Sequence, residues 1–168
     1  MEETRLILSQ GGFPPFTARG CSQSLYPLES ALLRRTVNGK LISLGAPGQL
    51  KYRSVIRCED EESPALEGLW PGTFVEVHCI QYLWQKTFSP RLSLSRTPRI
   101  DSLKAIDQKK RPYGVKWQNN EAILETEEQE GPWYLGYQPI LTMTVITHES
   151  HHQEWGDKNP WSITLEET

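Results

Sequence analysis

Leu33-Arg34-Arg35-Thr36-Val37-Asn38-Gly39-Lys40-Leu41-Ile42-Ser43-Leu44 is the stretch from which the fold is read. Asn38-Gly39 lies between two runs that can each extend as a strand. A type I′ hairpin turn needs positive φ at both central residues, and Asn-Gly accepts that conformation at least cost. The expected register sets Val37 against Lys40, Arg35 against Ile42 and Leu33 against Leu44. Leu33, Val37, Ile42 and Leu44 then share a face that can be buried. Arg34, Thr36 and Ser43 share the other, with Leu41 the exception. Two further strands are expected, over Lys51–Cys58 and Thr73–Leu83. The antiparallel unit runs from Leu32 to Trp84, and the rest of the chain adds to it.

Upstream, Thr4–Ser9 can form an edge strand. Residues 10–20 hold Gly11-Gly12, Pro14-Pro15 and Arg19-Gly20, which predict a loop or an extended arm, because a Pro-Pro step cannot donate to a ladder. Phe13 and Phe16 flank the prolines. They either pin the loop to its own domain or pack an arm on a neighbouring subunit. Ser24–Leu32 has helix-like spacing over a short stretch, with one turn of helix possible.

Within the unit, Gly45-Ala46-Pro47-Gly48 predicts a turn. Tyr52, Ile56 and Cys58 are expected to point inward, with Arg53 and Arg57 outward. Glu59–Pro64 is an acidic connector, expected to be a solvated loop. Trp70-Pro71-Gly72-Thr73 predicts a type II turn, since Pro71 presets φ and Gly72 supplies positive φ. Thr73–Leu83 carries bulk on both faces, which suits a central strand or one covered on both sides. Glu76 and His78 lie on one face of it.

Downstream, Phe88–Arg111 has prolines and a basic bias and reads as an exposed excursion, over about residues 86–112. Asp101 is expected to cap a short helix over Ser102–Asp107. Asn119-Asn120 between Val115–Gln118 and Glu121–Glu125 predicts a second tight hairpin. Residues 131–139 are aromatic and turn-rich. Leu141, Met143 and Val145, and then Trp161, Ile163 and Leu165, alternate with polar residues as half-buried strands do.

These readings give a mainly β fold: an antiparallel β-sandwich or partly closed barrel with long loops and at most one or two short helices. At 168 residues a single domain is expected, spanning residues 1–168, with the Pro-rich arm and the excursion as its additions. The core list is Leu33, Val37, Ile42, Leu44, Tyr52, Ile56, Val75, Val77, Leu141, Met143, Val145, Trp161, Ile163 and Leu165. A net charge of −3 provides no global basic field for nucleic acid. No apolar run reaches the ~18–20 residues of a membrane-spanning helix. Met1–Gln10 lacks the basic start and long apolar core of a signal peptide, so synthesis and retention in a cytoplasm are expected.

The residues carry little chemistry. The chain has no Gly-rich phosphate loop, nucleophile elbow or His-Glu-x-x-His motif. Cys21, Cys58 and Cys79 are odd in number and form no Cys-x-x-Cys pair, so the cysteines are expected to be buried thiols. His148, His151 and His152 are the one candidate metal cluster. Adjacent loop residues rarely satisfy one metal without a ligand from elsewhere, and the alternative is a polar loop tip between two strands. No cofactor and no catalytic residue are expected.

Several blocks carry a family resemblance. They are residues 33–44, Lys51–Cys58, Pro64-Ala65-Leu66-x-Gly68-Leu69-Trp70-Pro71-Gly72-Thr73, Tyr137–Val145, and Glu154-Trp155-Gly156-x-x-x-Pro160-Trp161-Ser162-Ile163-Thr164-Leu165-Glu166-Glu167. They lie in two regions, residues 33–73 and 137–167. They resemble small structural proteins of the tails and baseplates of tailed bacteriophages. The resemblance implies a virion component without an enzymatic site, made in the host cytoplasm and built into the tail. It would assemble with copies of itself and other tail proteins into a ring or adaptor around the tail axis. The matched positions are turn and core residues, so no functional residue carries over. The interface candidates come from the residues themselves: Phe13, Pro14, Pro15 and Phe16 in the arm, and Arg91, Arg96 and Arg99 in the excursion. The alternative is a carbohydrate-binding β-sandwich of a receptor-binding device, with Trp133, Tyr134 and Tyr137 exposed together to stack on sugars.

Overall fold

The computed structural model describes residues 3–28, 33–45 and 50–168. The chain is mainly β, with 52% strand and 2% helix, and its sheets curl into a half-barrel and a nearly closed barrel. The strands are β1 (Ile7–Leu8), β2 (Ser22–Pro27), β3 (Leu33–Arg35), β4 (Leu41–Ser43), β5 (Tyr52–Asp60), β6 (Phe74–His78), β7 (Leu83–Thr87), β8 (Arg91–Ser93), β9 (Thr97–Pro98), β10 (Lys104–Asp107), β11 (Pro112–Gln118), β12 (Glu121–Glu125), β13 (Trp133–Tyr137), β14 (Pro139–Ser150) and β15 (Asn159–Glu167). No helix among the described residues is long and apolar enough to cross a membrane. The chain divides into two compact units. One holds residues 1–4, 9–75 and 142–168, and the other holds residues 5–8 and 76–141.

In the first unit, β15 pairs antiparallel with β14 on one side and with β5 on the other, and β2 pairs with β5. The alternation in β15 sets Trp161, Ile163 and Leu165 inside, where they meet buried Ile56, Met143 and Val145 of the same unit. Each such side chain contributes about 1.5–3 kcal/mol of transfer free energy. The ladder between β14 and β15 shifts register between Val145 and Thr147, a bulge that bends the strand. In β5, Ile56 and Cys58 are buried as expected, and so are Ser54 and Asp60. Ser54 Oγ accepts from Gln23 Nε2 at 2.9 Å. Asp60 belongs to the strand and not to a solvated acidic loop, because its carboxylate has buried donors to accept from. Tyr52 is only half-buried. Ser24–Pro27 is extended in β2 rather than helical, since its backbone is held by the neighbouring β5 ladder. Residues 29–32, and all of the expected 45–48 turn after Gly45, lie outside the described residues. At Trp70–Thr73 the expected turn forms: Thr73 N donates to Trp70 O at 2.9 Å and Gly72 has φ +93°.

The opening hairpin differs from expectation. Leu33 pairs with Ser43, Arg34 with Ile42 and Arg35 with Leu41. Thr36 N donates to Lys40 O, and Gly39 N donates to Thr36 O. Gly39 alone of the pair has positive φ, at +79°. The loop therefore has three residues, with a glycine in the left-handed region closing the turn, and the register moves by one residue. β3 and β4 form a two-stranded sheet of their own. Leu33, Val37 and Leu44 are exposed and Ile42 is half-buried. None of these four supplies core.

In the second unit, β1 pairs with β6 through Ile7–His78 and Leu8–Val77, as the expected edge strand. A six-stranded sheet runs β7-β13-β10-β11-β12-β8. Its core is Ala105, Ala122, Leu124, Trp133, Leu135 and Tyr137, with Leu83, Leu92, Leu103 and Val115 packed against them. The basic excursion is thus structured, supplying β8, β9 and β10 between β7 and β11. The expected helix at Ser102–Asp107 is absent. Ile100–Ser102 makes one turn of 3-10 helix without a side-chain cap, and β10 follows. Ala105 and Asp107 are buried from a strand that pairs on both sides, which a helix there would forfeit. The expected long strand from Thr73 to Leu83 breaks into β6 and the start of β7. Only Val75, Val77 and Cys79 are buried, while Phe74 is exposed, so β6 has one covered face. The Asn119-Asn120 hairpin forms as expected. Both residues have positive φ, +51° and +62°, and Gln118 pairs with Glu121, so this is the two-residue turn.

Candidate interaction surfaces

The hairpin of β3 and β4, with Leu44 just after it, exposes four large apolar side chains, Leu33, Val37, Leu41 and Leu44. Leu33 and Leu41 share one face with Arg35 and Ser43, and Val37 at the tip is fully exposed. Arg35 Nη1 donates to Gly39 O at 3.0 Å, which stiffens the turn. Residues 33–45 contain Arg34, Arg35 and Lys40 and no acid, so this element is both apolar and cationic. Its apolar side chains were legible in the sequence, but their alternation argues burial and says nothing of which surface does the burying.

The Pro-rich segment is a pinned loop rather than an extended arm. Gly12 and Ala65 exchange backbone hydrogen bonds of 3.2 and 2.9 Å. Gly11 has φ +75°, and a Cβ there would lie 2.8 Å from Ala65 O. Pro14 O accepts from both the N–H and the Oγ1 of Thr17. Phe13 stacks on Trp161, with ring centroids 5.6 Å apart and 27° between planes. Phe16 is exposed at φ +70°, with the Arg19 guanidinium 4.4 Å from its ring centroid. Of the four arm candidates, Phe13 is engaged inside its own unit, Pro14 is half-buried, and Pro15 and Phe16 face solvent.

The arginine candidates are not gathered into one patch by any contact. Arg91 is exposed on β8, opposite Ile123. Arg96 Nη1 donates to Ser95 Oγ at 3.2 Å. Arg99 is held within its unit, donating to Arg5 O at 2.8 Å and pairing with Asp101 at 3.1 Å. Among the described residues no group of three or more His, Cys, Asp or Glu is placed to hold a metal. His148 lies in β14 opposite Ile163, His151 N donates to Pro160 O, and His152 Nδ1 hydrogen-bonds with Asn159 Oδ1. The polar outer face of this ladder carries a transverse row of Ser22, Arg57, Ser162 and Glu149. An open depression of about 860 Å³ lies there, edged by Glu59 and His151.

The aromatic residues are distributed otherwise than a sugar-binding trio of Trp133, Tyr134 and Tyr137 requires. Trp133 is 1% and Tyr137 2% exposed, both in the core, because β13 is paired on both sides and its odd positions face inward. Tyr134 faces the other way. On that outer face Trp84 pairs with Gly136, which pairs with Lys104, and Lys86 pairs with Tyr134. Tyr82 and Trp84 stack, with centroids 6.0 Å apart and 28° between planes. Lys104 Nζ lies 3.8 Å from the Tyr82 centroid and 5.2 Å from that of Trp84. Lys86 Nζ lies 5.1 Å from the Phe88 centroid. Sequence reasoning missed this cluster. The spacing of Tyr82, Trp84, Lys86 and Phe88 on alternate residues was its only local signal. Comparison with protein-family models, with curated proteins and with solved structures finds no match.

Proposed function

We propose that this chain is a structural subunit that assembles with copies of itself, as a ring or adaptor protein of a bacteriophage tail or baseplate. The observation that carries the assembly reading is the β3–β4 hairpin. An isolated two-stranded hairpin is marginal in water, and this one exposes Leu33, Val37, Leu41 and Leu44. A neighbouring copy that covers those side chains supplies the missing third layer. The accepting element is the edge strand β2, which pairs with β5 and ends its sheet; strand addition at an open edge supplies main-chain hydrogen bonds. The cationic hairpin and the acidic Glu59, Glu61 and Glu62 provide complementary charge for register. The tail assignment rests on the resemblance of the quoted blocks. Purified particles test it: the protein should copurify with intact tails at a fixed, ring-like copy number, and its absence from particles would refute the tail assignment.

A further inference from the structure

We propose that the outer face of the six-stranded sheet, around Trp84, Tyr82 and Lys104, is a binding platform for an acidic saccharide. Trp84 lies flat over Gly136, where a Cβ would come within 2.8 Å of ring atoms Cε3 and Cζ3. The glycine therefore seats the indole parallel to the sheet, and 49% of Trp84 stays exposed. Tyr82 extends this surface by stacking beside it. The exposed Trp84 indole, seated on a rigid sheet, offers the C–H face of a pyranose a preorganised contact, with little side-chain entropy left to lose. Lys104 is held at the same place, its ammonium lying over the Tyr82 ring and 5.2 Å from the Trp84 centroid, so a cation stands next to the exposed indole. Lys86 gives a second cation one row along, opposite Tyr134.

The charges select the ligand. Two lysines attract an anionic group, which favours a sugar bearing a carboxylate over a neutral one. A nucleic-acid strand draws its affinity from many phosphate contacts, and this platform offers two cations. A protein partner would look for a clustered aliphatic centre, which the β3–β4 hairpin has, whereas the outer face carries only half-buried Ile106 and Ile123, on separate strands. The inference is independent of the assembly reading, because the platform and the hairpin share no residue.

Binding of oligogalacturonate, hyaluronan and sialyllactose to the full chain should be measured by calorimetry. The methyl ester of oligogalacturonate serves as the neutral control and oligothymidylate as the nucleic-acid control. At least one acidic saccharide should bind. Trp84→Ala should weaken it by about tenfold or more, and Lys104→Gln should weaken the acid but leave the neutral ester unchanged. Far-ultraviolet spectra confirm that each variant is folded. Trp84→Phe, which retains a ring, should recover part of the affinity. No binding to any of the three acids, tighter binding of oligothymidylate, or equal affinity in the Trp84→Ala protein would overturn the proposal.

Discussion

The indole Nε1 of Trp161 donates to Asp60 Oδ2 at 2.7 Å, and the same oxygen accepts from Ala18 N at 3.0 Å. Both donors and the carboxylate are buried. One acid thus ties the last strand to the loop that follows the Pro-Pro step. Replacing Asp60 with Ala leaves two buried donors without an acceptor, at about 1–3 kcal/mol for each group. Chemical denaturation of Asp60→Ala should show a loss of roughly 2 kcal/mol or more. Trp161→Phe should lose less from hydrogen bonding, because the Asp60 carboxylate keeps the Ala18 N–H as a donor. An unchanged midpoint in Asp60→Ala would show that the acceptor is dispensable.

The two Asn-containing turns should respond differently to mutation. Asn120 has φ +62° between β11 and β12, strands that belong to the six-stranded sheet. Asn120→Val should lower global stability by about 1–2 kcal/mol, the cost of a left-handed residue with a branched Cβ. Gly39 has φ +79° in a hairpin that pairs with no other strand among the described residues. Gly39→Val should therefore speed amide exchange within residues 33–44 and leave the main melting transition in place. A loss of global stability in Gly39→Val equal to that in Asn120→Val would contradict the separation of the hairpin.

The strands that could be read from the sequence are those whose alternation is long and apolar. Leu141, Met143 and Val145 in β14, and Trp161, Ile163 and Leu165 in β15, are buried as their period of two requires. The same rule misplaced Leu33, Val37 and Leu44, because alternation reports a face to be covered and not what covers it. The region from 86 to 112 was opaque for the opposite reason. Its strands β8 and β9 have three and two residues, too short for a period to show. Lys104 joins Tyr82 and Trp84 only through two successive strand pairings, across β13, so no local spacing could reveal that cluster.

Asp107 should make stability depend on pH. Burial pushes its carboxyl up, but the Arg111 backbone N–H and guanidinium, with the Lys109 N–H, outweigh it and hold the carboxyl below its ordinary value. A depressed folded-state value contributes stability above the ordinary carboxyl range, which is lost as pH falls through the folded-state value. Asp107→Asn should therefore melt below the parent protein at pH 7, and the two curves should converge towards pH 2–3. A difference that persists unchanged at low pH would assign the effect to packing.

The cysteines should be inert in the folded protein. Burial pushes the Cys21 thiol above its ordinary range, with a hydrogen bond to Cys58 and the Asp60 charge adding to it. Burial also pushes Cys58 up, and Cys79 is fully buried. Alkylation at pH 8 should be at least about tenfold slower in buffer than in concentrated urea, because the thiolate is the reacting species. Rapid labelling of Cys21 in buffer would contradict this.

The central claim is that the β3–β4 hairpin joins copies of the chain, and sedimentation velocity of the parent and of a Val37→Asp/Leu41→Asp variant tests it most directly. Both side chains are exposed, so the variant should keep the parent's melting temperature. The parent should sediment as a closed multiple of the subunit at micromolar concentration, and the variant as a monomer. A parent that stays monomeric, or a variant that forms the same multiple, would contradict it.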